Sequence, residues 1–111
     1  MTTEDELTGR IADIKAKLAA LGDLRPGTIS EQYNVCGTPS CRCKAGPPQK
    51  HGPYYQLSYT RGGRSRTEAL HEEDLDGLRA QIGNYQELRA LVDQWVEAAI
   101  TLDRLRRTRK P

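Results

Sequence analysis

The stretch YQLSYTRGGRSRTEAL, residues 55–70, decides the fold of the middle of the chain. Its first five residues alternate between apolar and polar side chains, which is typical of a β-strand with one buried face. The Gly-Gly pair at positions 62–63 is typical of a two-residue hairpin turn. Residues 65–70 follow the turn and supply a returning strand. The stretch therefore predicts an antiparallel β-hairpin.

A third strand is predicted before the hairpin. Residues 28–35, TISEQYNV, alternate in the same way after the turn sequence Arg25-Pro26-Gly27. A segment rich in cysteine, glycine and proline connects this strand to the hairpin. We therefore expect a small antiparallel sheet of three strands.

A helix is predicted at the start of the chain, over residues 1–23. Thr3 and Glu6 match the Thr-x-x-Glu capping box, and Gly22 is placed to end the helix. Apolar residues recur in it at spacings of 4, 3, 4 and 3, at Leu7, Ile11, Ile14, Leu18 and Leu21. This narrow apolar stripe indicates packing against another helix.

A longer helix is predicted over residues 71–107, and its first residues are acidic, as suits the positive end of a helix dipole. Two successive spacings of three interrupt its heptad beside Gly83-Asn84, where a kink or a break into two helices fits the sequence. The apolar stripe is too long for the first helix to cover. We therefore expect a coiled-coil-like homodimer or higher oligomer, with an interface formed by Leu75, Leu78, Ile82, Tyr85, Leu88, Val92, Trp95, Ala99 and Leu102.

The elements together predict an α+β fold. At 111 residues the chain fits a single domain, with a helix over 1–23, a Cys-loop β region over 24–70, a long helix over 71–107 and a basic tail over 108–111. No basic leader precedes an apolar run, and no apolar stretch is long enough for a membrane span. We therefore expect a soluble cytoplasmic protein that does not bind a membrane.

The net charge of +2 conceals a strong segregation of charge along the chain. Residues 24–70 carry seven basic and two acidic groups, whereas residues 71–103 carry two and eight. Residues 104–111 carry five basic groups and no acidic group. A basic centre and a basic tail flank an acidic helix, and these two basic segments are the parts suited to an anionic partner.

All three cysteines lie close to a histidine in the segment between the first two predicted strands, with the spacing C-x4-C-x-C-x7-H. Three thiolates and one imidazole are a common ligand set for structural zinc. The glycines and prolines of this loop supply little packing energy, so a metal would hold it. We predict a Zn²⁺ site formed by Cys36, Cys41, Cys43 and His51.

Other interpretations of the cysteines stay open. Cys41 and Cys43 could form a redox pair, although the usual βαβ context is missing. An iron–sulfur cluster usually requires four cysteines. The cysteines could also be three free thiols in a turn. His71 is a weaker candidate ligand, because its position before the long helix suits a cap.

The basic residues of the centre fall on the Cys loop and the hairpin, and Tyr54, Tyr55 and Tyr59 are interleaved with them. Guanidinium and ammonium groups contact phosphates, and aromatic rings stack on bases. We therefore predict a nucleic-acid-binding surface formed by Arg42, Lys44, Lys50, Arg61, Arg64 and Arg66. The alternative is that these arginines are merely solvated. Tyr55, Leu57 and Tyr59 share one face by alternation, and we expect that face to lie against the core. The basic tail suits either phosphate or the negative end of its own helix.

Several of these motifs carry a resemblance to a known family. They are LRPGTISEQY at residues 24–33, CGxPxCxC at 36–43, HGPYY at 51–55 and GGR at 62–64, followed by the long helix. The chain resembles, over nearly its whole length, a small uncharacterised bacterial domain-of-unknown-function family associated with plasmids, phages and insertion elements. The resemblance implies the same three-part layout and no established activity. Residues 54–66 are also loosely similar to the three-stranded DNA-binding arms of phage-type integrases.

An enzyme is the poorest interpretation of the sequence, because no carboxylate pair lies near the histidine and four protein ligands leave zinc no open position. We expect a small nucleic-acid-binding accessory protein, with DNA or RNA as its partner, that serves a mobile element. The alternative is an oligomeric protein–protein adaptor, in which paired helices form the partner surface and the zinc sheet is a rigid cap.

Overall fold

The computed structural model of the protein describes residues 2–34 and 51–109. It confirms the predicted fold class, an N-terminal helix, a three-stranded antiparallel sheet and a long C-terminal helix. Its elements are α1 (Glu4–Ala20), β1 (Thr28–Asn34), β2 (His51–Arg61), β3 (Arg64–Leu70), a 3-10 turn (Glu72–Asp74) and α2 (Leu75–Arg109). The predicted site residues that lie outside the described residues are Cys36, Cys41, Cys43, Arg42, Lys44 and Lys50.

The chain forms two compact units, which we call the helical unit and the sheet unit. The helical unit comprises residues 1–25 and 83–111, and the sheet unit comprises residues 26–82. Helix α2 contributes residues to both units. The prediction of one domain over residues 1–111 stays a prediction.

The start of α1 is fixed by the predicted capping box. The backbone N–H of Glu6 donates to Thr3 Oγ1 at 3.1 Å, and the backbone N–H of Thr3 donates to Glu6 Oε2 at 3.4 Å. These two bonds satisfy donors that a helix N-terminus leaves without partners. The helix ends at Ala20, two residues before the predicted stop at Gly22.

Helix α2 is continuous over 35 residues, so the chain is not broken into two helices at Gly83. At 1.5 Å per residue its length is about 50 Å. Asn84, which suggested a break, instead donates from Nδ2 to the carbonyl oxygen of Asp23 at 2.8 Å. This bond ties α2 to the chain that follows α1 within the helical unit.

The core of the helical unit is built from both helices. Leu7, Ala98 and Leu102 form one buried cluster, with Ile11 and Leu105 packed against it. Because residues near the start of α1 contact residues near the end of α2, while Asp23 contacts Asn84, the two helices run antiparallel.

At two positions of the predicted apolar stripe on α2, the structure buries the preceding residue instead. Leu91 and Ala98 are buried, whereas the predicted Val92 is 44% exposed and Ala99 is half-buried. The chain has two adjacent apolar residues at each step, so two stripes are compatible with helical periodicity. The structure buries the first residue of each pair and leaves the second near solvent.

The sheet unit has strand order β1-β2-β3, with both pairings antiparallel. Leu57 lies at the centre of β2, opposite Ile29 on one side and Glu68 on the other, and is 1% exposed. Its burial agrees with the predicted alternation. Leu75, the first residue of α2, is also buried.

Candidate nucleic-acid interface

Three arginines lie together at the hairpin end of the sheet. The register places Arg61 directly opposite Arg64, and it places Arg66 opposite Tyr59. Residues opposite each other in an antiparallel ladder project from the same face, as do residues two apart along a strand. The three guanidinium groups and the Tyr59 ring therefore share one face, which we call the arginine face.

The turn between β2 and β3 creates this arrangement. Gly62 and Gly63 have φ values of 57° and 76°, in the left-handed region that favours glycine, and two such residues in sequence are typical of a two-residue hairpin turn. Because the turn has two residues, Arg61 and Arg64 become the first opposed pair of the ladder.

The opposed arginines carry a cost to the fold. Like charges directly opposite each other on neighbouring strands destabilise a sheet by up to about 1 kcal/mol. All three arginines are exposed, and within the described part of the chain no ion pair involves them. The hairpin tip is thus a concentrated and accessible positive charge.

The arginine face changes character away from the tip. Tyr55 and Tyr59 are half-buried on either side of Leu57, as predicted for side chains of one face. Both acidic residues of the sheet, Glu31 and Glu68, also lie on this face, opposite Tyr55 and Leu57. Among the described residues of this face, positive charge is therefore confined to the two rungs of the ladder nearest the turn.

The other face of the sheet carries no charged side chain among residues 28–32, 54–61 and 64–70. It presents hydroxyl and amide groups, and Thr60 Oγ1 lies 3.2 Å from Ser65 Oγ across the ladder. Tyr54 is on this side and is 49% exposed, so the structure separates it from the arginines beside which the sequence interleaves it. Sequence reasoning missed this surface, although the alternation that revealed the arginine face also defines its reverse.

The end of the sheet remote from the turn adjoins the Cys loop. Here the register shifts, because Gln32 pairs with Tyr54 while Asn34 pairs with His51. Gly52 has a φ of 143°, and a Cβ on it would lie 2.8 Å from the carbonyl oxygen of Gln32. Glycine is therefore required at this close contact between the two strands.

One ordered polar contact lies near this irregularity. The Tyr33 hydroxyl donates to Glu31 Oε1 at 2.8 Å, and this hydrogen bond, together with partial desolvation and the carboxylate charge, raises the pKa of Tyr33 above its usual value. The contact holds the Tyr33 ring along the outer strand of the sheet.

The predicted zinc ligands can be located only in part. Three of the four are outside the described residues, and His51 is the first residue of β2. Among residues 2–34 and 51–109, no group of three or more metal-ligating side chains comes together. His71 occupies the cap position of the 3-10 turn, where its backbone N–H donates to Asp74 Oδ2 at 3.0 Å, in agreement with the predicted capping role.

The arginines near the end of α2 have partners inside the protein. Arg106 Nε lies 3.1 Å from Glu4 Oε1, and Arg109 donates to the other oxygen of the same carboxylate. Arg107 Nε lies 2.9 Å from Asp103 Oδ2, one turn earlier in the helix. These carboxylate partners differ from both partners predicted for the basic tail, which were phosphate and the negative end of its own helix.

Comparisons with known proteins identify the family of the chain. The sequence profile of a domain of unknown function, DUF6788, matches residues 4–80. Since the match covers more than half of the chain, the protein belongs to this family. The matched region includes α1, the whole sheet and the first residues of α2.

Two further searches add no relative. No curated protein and no solved structure matches the chain. Among the described residues, no helix combines the length and the apolar character that a membrane crossing requires.

Proposed function

We propose that the protein binds nucleic acid through the arginine face of its β-hairpin. The observation that carries the proposal is the direct opposition of Arg61 and Arg64, with Arg66 one rung away. This arrangement costs the free protein stability, whereas a phosphate placed between the guanidinium groups would accept hydrogen bonds from both and remove their repulsion.

The dimensions of the hairpin support this proposal. Neighbouring strands are about 5 Å apart, and residues two apart on a strand are separated by about 7 Å. A two-stranded ribbon of this width can enter the major groove of duplex DNA, which is about 12 Å wide. The uncharged reverse face adds hydroxyl and amide groups that can contact phosphate or sugar without repelling them.

The test is the salt dependence of binding to labelled duplex DNA and RNA, measured by fluorescence anisotropy. Replacing Arg61, Arg64 and Arg66 together by glutamine should weaken binding. On duplex DNA it should also flatten the slope of log affinity against log salt by about 0.9 for each phosphate that the variant no longer neutralises.

The matched control is Arg79→Gln, which removes one positive charge from an exposed position on the acidic part of α2. It should leave the slope unchanged. If the wild-type protein binds neither nucleic acid more tightly than about 10⁻⁴ M at physiological salt, the proposal is wrong.

A structural zinc ion is part of the proposal. Its support is that Asn34 pairs with His51, so the β1–β2 ladder brings together the two ends of the Cys loop. Cys36 follows Asn34 by only two residues in the sequence. Metal analysis of protein purified without added zinc should find about one ion per chain, and Cys41→Ser should lose both the ion and stability. Stoichiometric free thiols without metal would contradict this.

The second candidate function is a protein–protein adaptor. It is favoured by the exposed apolar residues Val92, Val96 and Ile100 on α2. Binding through such a surface would change little with added salt, whereas phosphate binding weakens steeply. An accessory role for a mobile element belongs to the nucleic-acid proposal and rests on the resemblance of the sequence motifs.

A further inference from the structure

An exposed apolar stripe runs along α2 within the helical unit. Val92, Val96 and Ile100 are 44%, 48% and 43% exposed, and their spacing of four places them on one side of the helix. This stripe is distinct from the buried positions Leu91 and Ala98, of which Ala98 belongs to the core cluster shared with α1.

A groove between α1 and α2 lies beside the stripe, since Trp95 and Ala99 in its lining each follow a valine of the stripe by three residues. The groove encloses about 440 Å³, and its lining includes Ile11 of α1 together with Trp95 and Ala99 of α2. The ammonium group of Lys15 lies 5.2 Å from the centre of the Trp95 ring. The apolar surface of the helical unit thus extends from its core to the exposed stripe, as in one half of a four-helix bundle.

We propose that a second copy of the chain packs on this stripe with α2 antiparallel to α2, about a two-fold axis at Val96. Arg89, Val92, Val96, Ala99 and Asp103 recur at spacings of 3, 4, 3 and 4, so they lie on one side of the helix. The two-fold axis places Val92 of one copy beside Ile100 of the other.

Charge complementarity selects both the second copy and its direction. Arg89 and Asp103 are each seven residues from Val96, so an antiparallel pair brings Arg89 of each copy to Asp103 of the other. A parallel pair in register would instead place arginine against arginine and aspartate against aspartate, which is unfavourable. The stripe is therefore self-complementary only in the antiparallel direction, as a two-fold interface requires.

The present partners of these charges do not oppose the pairing. Arg89 lies 5.8 Å from the centre of the Tyr85 ring, and Asp103 pairs with Arg107 on its own helix. Both contacts are local, and the ion pair is well exposed, so each contributes little. In the antiparallel pair Arg107 of the second copy comes opposite Tyr85, so that an arginine can again cover the ring.

The proposed dimer interface is separate from nucleic-acid binding, because none of its residues belongs to the hairpin. Sedimentation velocity over a concentration series tests it without any nucleic acid. The wild type should form a dimer at tens of micromolar. Val96→Asp should weaken the dimer by more than about a hundredfold, since the two-fold axis sets the two introduced carboxylates face to face.

The matched control is Ala90→Asp, an exposed position on another side of α2, which should leave the dimer intact. Circular dichroism should show wild-type helix content in Val96→Asp, because Val96 is 48% exposed. A wild-type monomer at high concentration, or a dimer unaffected by Val96→Asp, would overturn the proposed interface.

The direction of pairing is tested by exchanging the two charges. Arg89→Asp and Asp103→Arg alone should each weaken the dimer on the order of tenfold, because each creates two like-charged contacts. The double variant restores complementarity and should recover the dimer. If the double variant dimerises as weakly as the two single effects added together predict, the antiparallel arrangement is wrong.

Discussion

Arginine serves different purposes at the hairpin tip and near the end of α2. At the tip, Arg61 and Arg64 oppose each other, and no residue in the described part of the chain forms an ion pair with them. Near the end of α2, Arg106 and Arg109 share the carboxylate of Glu4. Counting basic residues would therefore overstate the charge available at the helix end relative to the tip. Whether an arginine can take an external anion depends on whether the fold already supplies its counter-charge.

The largest predicted effect is a loss of stability on truncating the buried side chain of β2, the central strand of the sheet that carries the arginine face. Leu57 is the fully buried side chain of β2, and Leu57→Ala should lower the free energy of unfolding by about 2–5 kcal/mol. Urea denaturation followed by circular dichroism measures the loss. Leu57→Ile, a volume-conserving control, should cost less than about 1.5 kcal/mol. An equally small loss for alanine would show that Leu57 does not carry the sheet.

A smaller loss is expected at Gly52, beside the register shift between β1 and β2. Gly52→Ala forces an L-residue into the left-handed region and places its Cβ against the backbone of Gln32, so we expect a cost of about 1–3 kcal/mol. The same denaturation experiment measures it. Gly77→Ala, a control in α2 with open space around the added Cβ, should be neutral or stabilising. A neutral Gly52→Ala would refute the assigned backbone conformation.

Two matched arginine substitutions, one at the hairpin tip and one near the end of α2, should change the free energy of unfolding in opposite directions. Arg64→Gln removes a repulsion and should raise the free energy of unfolding by about 0.5 kcal/mol, while it weakens nucleic-acid binding. Arg106→Gln removes an exposed ion pair and should lower that free energy by about 0.5 kcal/mol, without changing binding. Both stability changes should shrink at high salt. A loss of stability in Arg64→Gln would mean that the fold does supply a partner for Arg64.

The smallest effect concerns Tyr33, a paired polar group in the sheet. Its pKa is raised, mainly because its hydroxyl donates to Glu31. The folded state therefore keeps this proton at a pH where the unfolded chain loses it. The stabilisation is complete below the unfolded pKa of about 10 and disappears as the pH rises through the higher folded pKa. Urea denaturation over a pH series should show a smaller alkaline loss of stability in Tyr33→Phe than in the wild type, and an equal loss in the two proteins would contradict the assigned hydrogen bond.

Alternation of side chains predicts much of the sheet and its site. It places Tyr55, Leu57 and Tyr59 on one face, and the two-residue turn then brings in Arg64 and Arg66. The start of β2 at His51 could not be predicted in this way, because Gly52-Pro53 opposes strand formation locally. In the structure, Gly52 and Pro53 lie at the register shift between β1 and β2. They precede Tyr55, the first residue of β2 that pairs with β3.

The helical unit shows what periodicity cannot decide. The apolar positions of α1 were predicted, and Leu7 and Ile14 are buried. On α2 the sequence offers both Ala98 and Ala99 to the core, and only the position of α1 selects the first. The pairing of Glu4 with Arg109 joins residues 105 positions apart, which local patterns do not reveal.

At the turn that creates the arginine face, the handedness of a residue matters more than the size of its side chain. Among residues 2–34 and 51–109, no atom would lie within 4 Å of a Cβ on Gly62 or Gly63, so the described neighbours do not exclude a larger side chain by volume. The positive φ values alone disfavour ordinary residues. A D-alanine introduced at either position by chemical synthesis would adopt this geometry without strain, whereas L-alanine would not. Handedness of the backbone, rather than space or chemistry, thus restricts which amino acids the tip of the hairpin can carry.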